Sequence, residues 1–264
     1  MGFRRMGWHE LLWVGRLLVL MQLLHGVFGW GKDGHFAVCK IAEEYLTKDA
    51  LATVKELLPD SARGDCHDTA GHKDRCVTGA IFNYTKQLFS AYQGYSPQLS
   101  YNLTEALMFL AHFIGDVHQP LHVGFLGDLG GNTITVSWYR RKTNLHHVWD
   151  TMIIDSAVKT LYGSDLATMI QAIQRNITDA WSNDVSSWKN CGHNQTVCPN
   201  VYASESVRMA CKFAYRNATP GSTLEDEYFL SRLPIVEKRL AQGGIRLAAV
   251  LNRLFNSEVK IAQA

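Results

Sequence analysis

The chain of 264 residues sets 26 lysines and arginines against 24 aspartates and glutamates, a formal net charge of +2 at pH 7, with 47% hydrophobic residues and six cysteines. That length suits one domain with a sizeable core, and the near balance of charge excludes recognition of nucleic acid by a broad basic field. Any phosphate contact has to be made locally, through bound cations above all.

At the start, Arg4 and Arg5 precede the apolar run Leu17 to Leu24, and Val27, Phe28 and Gly29 follow it. This pattern predicts a secretory signal peptide over residues 1–29, because the apolar run is shorter than the ~20 residues a membrane span needs. An uncleaved anchor is the weaker alternative. Cleavage after Gly29 makes Trp30 the first residue of the mature protein, and its free α-amine a potential ligand. The leader holds three arginines and one glutamate, so 23 residues of each sign remain and the mature net charge is zero. Residues 30–264 are expected to form one internally undivided domain, since no repeat, long linker or low-complexity tract interrupts them. The tail after about residue 255 is a candidate for trimming.

All six cysteines lie in the exported part, where an even number is expected to form disulfides. Cys66 with Cys76 and Cys191 with Cys198 are close enough in sequence for local bridges, which leaves Cys39 and Cys211. Sequons at Asn83, Asn102, Asn176, Asn194 and Asn217 fit a glycoprotein of the secretory pathway. Of these Asn217 is the weakest, because Pro220 follows its Thr.

Hydrophobic spacing predicts a mainly helical chain. Helices are expected at His35 to Leu46, Lys48 to Leu58, Thr78 to Tyr92, Leu103 to Gln119, His146 to Tyr162, Asp165 to Thr178, Ser204 to Arg216, Thr223 to Gln242 and Ile245 to Asn256. Asn102 and Glu105 read as a cap and capping-box pair. The exception is Phe125 to Tyr139, where GDLGGN precedes the alternating TITVSWY and predicts a small hairpin or extended arm. The expected class is therefore all-α, a single helical domain with a small β-hairpin.

The helix from Leu103 carries the chemistry. His112 and Asp116 are four residues apart, which stacks both side chains on one helix face. Leu107, Met108, Phe109, Leu110, Phe113 and Ile114 surround them, so the pair is buried and has to be compensated. Pro120 stops the helix and lets His122 turn back from the following loop. Two core histidines bonded to carboxylates would be the bland explanation, but His146 and Asp150 repeat the same spacing on a second helix. Two matched pairs point to metal. Imidazole nitrogens and carboxylate oxygens suit zinc, which takes three or four protein ligands, and a catalytic site leaves a position for water whose pKa the ion lowers toward ~7. Cysteine is absent from the cluster, which argues against a structural zinc-finger site. Ions a few Å apart can engage both the attacking and the leaving oxygen of a phosphodiester.

Trp30-Gly31-Lys32-Asp33-Gly34-His35, AHFIGDVHQPLHVG, GGNTI and NLHHVWD together resemble the S1/P1 nuclease family, the plant bifunctional endonucleases in particular. The likeness continues through YASESVRMACKFAY and YFLSRLPIVEKRLAQGGIRLA and covers nearly all of residues 30–255. It implies a secreted, mostly α-helical, monomeric glycoprotein with three zinc ions that cleaves single-stranded DNA and RNA to 5′-nucleotides, away from membranes. Secretion to the extracellular space or delivery to the vacuole would both fit. Bacterial zinc phospholipase C has a similar fold, but the motif details match the nucleases more closely. By resemblance the amine and carbonyl of Trp30, with His35 and Asp116, hold one zinc, and His122, His146 and Asp150 hold another. A third takes His112 and the bridging, catalytic Asp116. Asn132 in the GGN turn would contact the nucleotide.

One departure stands out. After Leu57 to Asp65 the family pattern has a Trp-Pro-Asp motif with a nearby Arg, then a His-Tyr-x-Asp segment, whereas here Asp65 runs straight into Cys66-His67-Asp68. Several dozen residues are missing. In the family that segment supplies an Asp and a His to the zinc shared with His112, a phosphate-contacting Arg, and the cysteine partners of Cys39 and Cys211. His67 and Asp68 have no spacing that recommends them as substitutes. The expectations are a weakened third zinc site, two retained sites, unpaired or irregularly paired Cys39 and Cys211, and reduced hydrolysis. The alternative to an active nuclease is thus a catalytically impaired zinc-binding glycoprotein.

Other residues have plainer readings. His118 is either support for the cluster or a capping or surface histidine. His147 should point away from the metal. Trp138, Trp149, Trp181 and Trp188 could stack on bases, though core packing is the commoner use.

Overall fold

The computed structural model describes residues 30–58, 76–93, 101–192 and 195–256. The expected leader, the Asp65–Cys66 junction with His67 and Asp68, Asn194 and the end of the tail lie outside the described residues.

Helix α1 (Lys32–Glu44) buries Ala37, Val38, Ile41 and Ala42, a stripe on one face. Thr47 caps α2 (Lys48–Leu57) by accepting from the Ala50 amide. After α3 (Val77–Gln93), α4 (Leu103–His118) starts at Asn102, whose Oδ1 accepts from the Glu105 amide at 3.1 Å as the sequence predicts. Pro120 ends that helix and opens a 3₁₀ turn, Pro120–Val123. A hairpin follows, β1 (Thr135–Trp138) against β2 (Arg141–Asn144), with Ser137 opposite Lys142.

Asn144 caps α5 (Leu145–His147), which continues as a π-helical turn (Val148–Met152) into α6 (Ile153–Leu161). The remaining helices are α7 (Leu166–Thr178), α8 (Ser182–Lys189), α9 (Pro199–Met209), extended by a π-turn at Ala210–Ala214, and α10 (Asp226–Leu254). Between the last two, β3 (Thr223–Leu224) pairs in parallel with β1 and completes a three-stranded sheet.

The mainly helical class is as expected, and among the boundaries that differ, α8 lies where no helix is expected and α9 opens at Pro199 instead of Ser204. The arm expected over Phe125 to Tyr139 becomes a strand only from Thr135, because Leu129, Gly130 and Gly131 all adopt left-handed φ and turn the chain first. Thr223 and Leu224 join the sheet rather than opening a helix. Most informative, the two helices expected on either side of Gly243 and Gly244 are a single helix of 29 residues.

The two glycines cost helix propensity, about 1 kcal/mol each relative to Ala, yet they lie where α10 crosses α1. A Cβ on Gly244 would sit 2.5 Å from Ile41 Cγ2 and 2.6 Å from its Cβ, and one on Gly243 would sit 3.2 Å from Val38. Close backbone approach in the core decides against a break. Gly244→Ala is accordingly expected to destabilise by about 1–3 kcal/mol through overpacking against the stiff Ile41, despite Ala being the better helix former. A thermal melt that rose instead would disprove the close crossing.

Helix α10 is buried along most of its length and packs on α1, α4 and α6 to α8. The four tryptophans sort as core residues: Trp138, Trp149 and Trp188 are buried, and Trp181 is half-buried against Trp188. That removes the first three as platforms for bases. Cys191 and Cys198 form the expected bridge. Cys39 and Cys211 are free and exposed, as the missing partners imply, and Cys76 is free as well. Its expected partner, Cys66, lies outside the described residues. Asn83, Asn102 and Asn217 are exposed and Asn176 is half-buried.

Candidate metal centre

Among the described residues, the ligand-type side chains gather in two sets of three. In the first, His35 from α1 meets His112 and Asp116 from α4. His35 Nε2 lies 3.0 Å from Asp116 Oδ1, and His112 Nε2 lies 3.2 Å from Oδ2. The two imidazoles stack at 4.3 Å between centroids, so both present Nε2 to the one carboxylate. Asp116 is 1% exposed. Burial by itself would disfavour its charge, but the imidazoles of His112 and His35, with His122 nearby, outweigh it and hold the carboxyl well below its ordinary range.

Neither His35 Nε2 nor Asp116 Oδ1 meets hydrogen-bond geometry, and both are buried without any other partner. Buried polar atoms are normally satisfied. Two orphaned lone-pair donors converging on one point are what a divalent cation would satisfy, and oxygen with two imidazoles is a set that suits zinc.

In the second set, His122 from the 3₁₀ turn meets His146 from α5 and Asp150 from the π-turn. His146 Nε2 lies 3.1 Å from His122 Nε2 and 3.3 Å from Asp150 Oδ2, while His122 Nε2 lies 3.5 Å from Asp150 Oδ1. The ligand atoms of each triplet lie within 4.8 Å of one another. Two imidazole nitrogens turned toward each other beside a buried carboxylate form a cation cage of the same composition as the first. The outer partners support this: His146 Nδ1 donates to Gly130 O at 2.7 Å, which leaves Nε2 as the lone pair facing inward.

Local sequence explains part of this geometry. His112 with Asp116 and His146 with Asp150 share a face through four-residue spacing, and Pro120 frees His122. Three further supports had no legible signal. Gln119, fully buried, donates through Nε2 to Asp150 Oδ1 at 2.6 Å and accepts from the Leu121 amide at 2.5 Å, tying the end of α4 to the second cluster. Gly31 N donates to Asp150 O at 2.8 Å, bringing the stretch after Trp30 to the same residue. Gly115 leaves room for His35: a Cβ there would lie 2.7 Å from Nδ1 and 2.9 Å from Cε1.

Gly115→Ala is therefore expected to push His35 off Asp116 and weaken metal at the first cluster about 10–100-fold, leaving the second unchanged. Zinc titration against a competing chelator reads this directly, and two unaltered affinities would refute the close approach.

Other expected residues fall outside the triplets. Trp30 is buried with Nε1 unpartnered, at the foot of α1. Asn132 is exposed beside the second cluster, its Nδ2 donating to Leu129 O at 2.9 Å. It lines a cleft of about 1020 Å³ together with Lys32, Leu129, Lys142, His146 and Asp150. His147 lines the same cleft without joining a cluster, as expected. His118 is wholly buried and belongs to neither triplet, so the surface reading of it is wrong.

Comparison with known proteins identifies the family. The family model described as S1/P1 Nuclease matches residues 60–256. Endonuclease 4 of Arabidopsis thaliana is 59% identical over 290 residues, covering 95% of this chain and 97% of the relative. Endonuclease 5 of the same plant is 56% identical over 292 residues, with 95% and 99% covered. Nuclease S1 of Aspergillus oryzae is 28% identical over 282 residues, with 89% and 94% covered. The Endonuclease 4 alignment spans 290 positions but takes in 95% of 264 residues, about 251, so about 39 positions have no counterpart in this chain. That difference has the size of the segment whose motifs are missing after Asp65.

Proposed function

Because the chain belongs to the S1/P1 nuclease family, we propose that it is a zinc-dependent endonuclease of the secretory pathway that hydrolyses phosphodiester bonds in single-stranded DNA and RNA to give 5′-nucleotides. The observation that carries the reading is the pair of His/His/Asp triplets, the first with orphaned buried atoms converging on one point. Two zinc ions fit this chain, one held by His35, His112 and Asp116 and one by His122, His146 and Asp150. His112 thereby joins a complete triplet instead of waiting for ligands from a missing segment. The main-chain atoms of Trp30 are a further ligand source once residues 1–29 are removed.

Zinc, when bound, supplies Lewis-acid stabilisation of phosphate charge and a water acidic enough to ionise near neutral pH. The residues do the rest. Asp116 stays ionised in a buried setting and so offers a fixed negative charge. Gly130 O and Gln119 orient His146 and Asp150. Lys32 and Lys142 line the cleft and supply local positive charge for a phosphate, which a chain without a global basic field requires. Asn132 stands at the same cleft as the nucleotide contact. Phe125, Leu126 and Leu129 are exposed on the loop beside it, an apolar surface suited to unpaired bases and unsuited to a duplex backbone.

The test is release of acid-soluble nucleotides from a single-stranded DNA oligonucleotide and from RNA by the purified protein. A chelator is expected to abolish it and added zinc to restore it; cleavage that continues after full metal removal would overturn the proposal. A second reading, a zinc-binding glycoprotein with impaired hydrolysis, rests on the roughly 39 absent positions. Turnover compared with a chain carrying the relative's additional residues separates the two.

A further inference from the structure

The spacing of the ligands says nothing of what holds the end of α4, where the two metal triplets meet. Asp116 serves the first triplet and His122, six residues on, serves the second. Between them the helix ends, and the last carbonyls of a helix have no partners within it. Here two of them are bonded by side chains from distant elements, and the Ile114 carbonyl by the helix's own His118. His118 Nδ1 donates to Ile114 O at 2.6 Å, Ser206 Oγ of α9 donates to Val117 O at 2.5 Å, and Arg239 Nε of α10 donates to His118 O at 3.1 Å.

These groups form one buried network. Arg239 Nη2 donates to Ser206 Oγ, and Arg239 Nη1 to Glu205 Oε2 at 3.0 Å and to Gln242 Oε1 at 2.6 Å. Arg246 grips both oxygens of Glu205, at 2.6 and 2.8 Å, and donates to His118 Nε2 at 3.0 Å. Arg239 is 2% exposed, Arg246 3%, Ser206 and His118 0%. Burying two guanidiniums against a half-buried carboxylate is costly, and apolar residues of similar volume would often stabilise a core at least as well. What apolar residues could not do is bond the Val117 and His118 carbonyls of the last turn at once. The two positive charges also sit at the negative end of the α4 dipole.

We infer that Ser206, Arg239 and Arg246, bridged by Glu205, are positioning residues for metal: they clamp the last turn of α4 and so fix Asp116 and His122 relative to each other across both triplets. None of them touches either cluster. The inference rests on the two-zinc reading above, and it predicts an effect shared by both sites. Loosening the turn moves Asp116 out of the first triplet and His122 out of the second, whereas Gly115→Ala acts on the first alone.

The experiment is zinc competition on the full-length secreted protein at 25 °C, with a chromophoric chelator, for the wild type, Ser206→Ala and Arg246→Lys. Ile173→Val, in the core of α7 away from the clamp, serves as a control of comparable destabilisation. Ser206→Ala removes one oxygen and leaves the packing, so a folded protein is expected. The expected result is about tenfold weaker retention of both zincs in Ser206→Ala and Arg246→Lys, with the control unchanged at a similar melting temperature. Unchanged retention in both clamp variants, or a loss matched by Ile173→Val, overturns the inference while the two-zinc reading stands. A wild type that retains no zinc overturns both.

Discussion

Asp116→Asn is expected to lower zinc content from about two ions per chain to one and to reduce hydrolysis of single-stranded DNA by about a thousandfold, while leaving the fold intact. The two carboxylate oxygens face different imidazoles, Oδ1 toward His35 at 3.0 Å and Oδ2 toward His112 at 3.2 Å. An asparagine fills the same volume but brings one oxygen and one amide nitrogen, so one imidazole faces a donor and the negative charge is lost. The thousandfold corresponds to about 4 kcal/mol, within the several kcal/mol that metal stabilisation of charge contributes to a transition state. The fold should survive, because removing a desolvated charge takes away a cost as well as a ligand. Metal analysis and an oligonucleotide assay on the same preparation give the result; two retained zincs with activity within tenfold of wild type would mean that Asp116 does not hold the first zinc.

The second large effect is on stability. Glu205→Gln is expected to cost about 3–5 kcal/mol, because the shape is kept while two buried guanidiniums lose the carboxylate they share. For a chain of this length that corresponds to a fall in melting temperature on the order of 10 °C. The loss should depend on pH in a defined sense. Burial alone would raise the Glu205 carboxyl, but the hydrogen bonds and charge of Arg246, then Arg239, outweigh it and hold the group below its ordinary 4.5. A carboxyl depressed in the folded state stabilises fully above its unfolded value and loses that contribution as pH falls through the lower folded one. The gap between wild type and Glu205→Gln should therefore be full near neutrality and narrow as pH falls below the ordinary glutamate value of 4.5. Calorimetry across that range that found a constant gap, or one under 1 kcal/mol, would show that the ion pairs are not what holds α9 to α10.

Much of the site could be read from the residues alone, and the rest could not, for a reason that lies in the range of the interactions. His112 with Asp116 and His146 with Asp150 were legible because a helix repeats every 3.6 residues, so a spacing of four fixes a shared face wherever the helix sits. Pro120 likewise marked the break before His122, and Asn102 the start of α4, since both act on their own backbone. The chain's mainly helical class followed from the same local periodicity.

Which pair receives which third ligand depended on the meeting of α1 with α4 and of the 3₁₀ turn with α5, contacts between residues 81 and 24 positions apart. The continuity of α10 through Gly243 and Gly244 was decided by Ile41, and the burial of His118 by Arg246, which stands 128 positions away. Propensity and spacing are properties of neighbours along the chain. Close crossings, buried charge networks and the pairing of ligands are properties of packing, where glycines that would break an isolated helix become the residues that allow it to be buried.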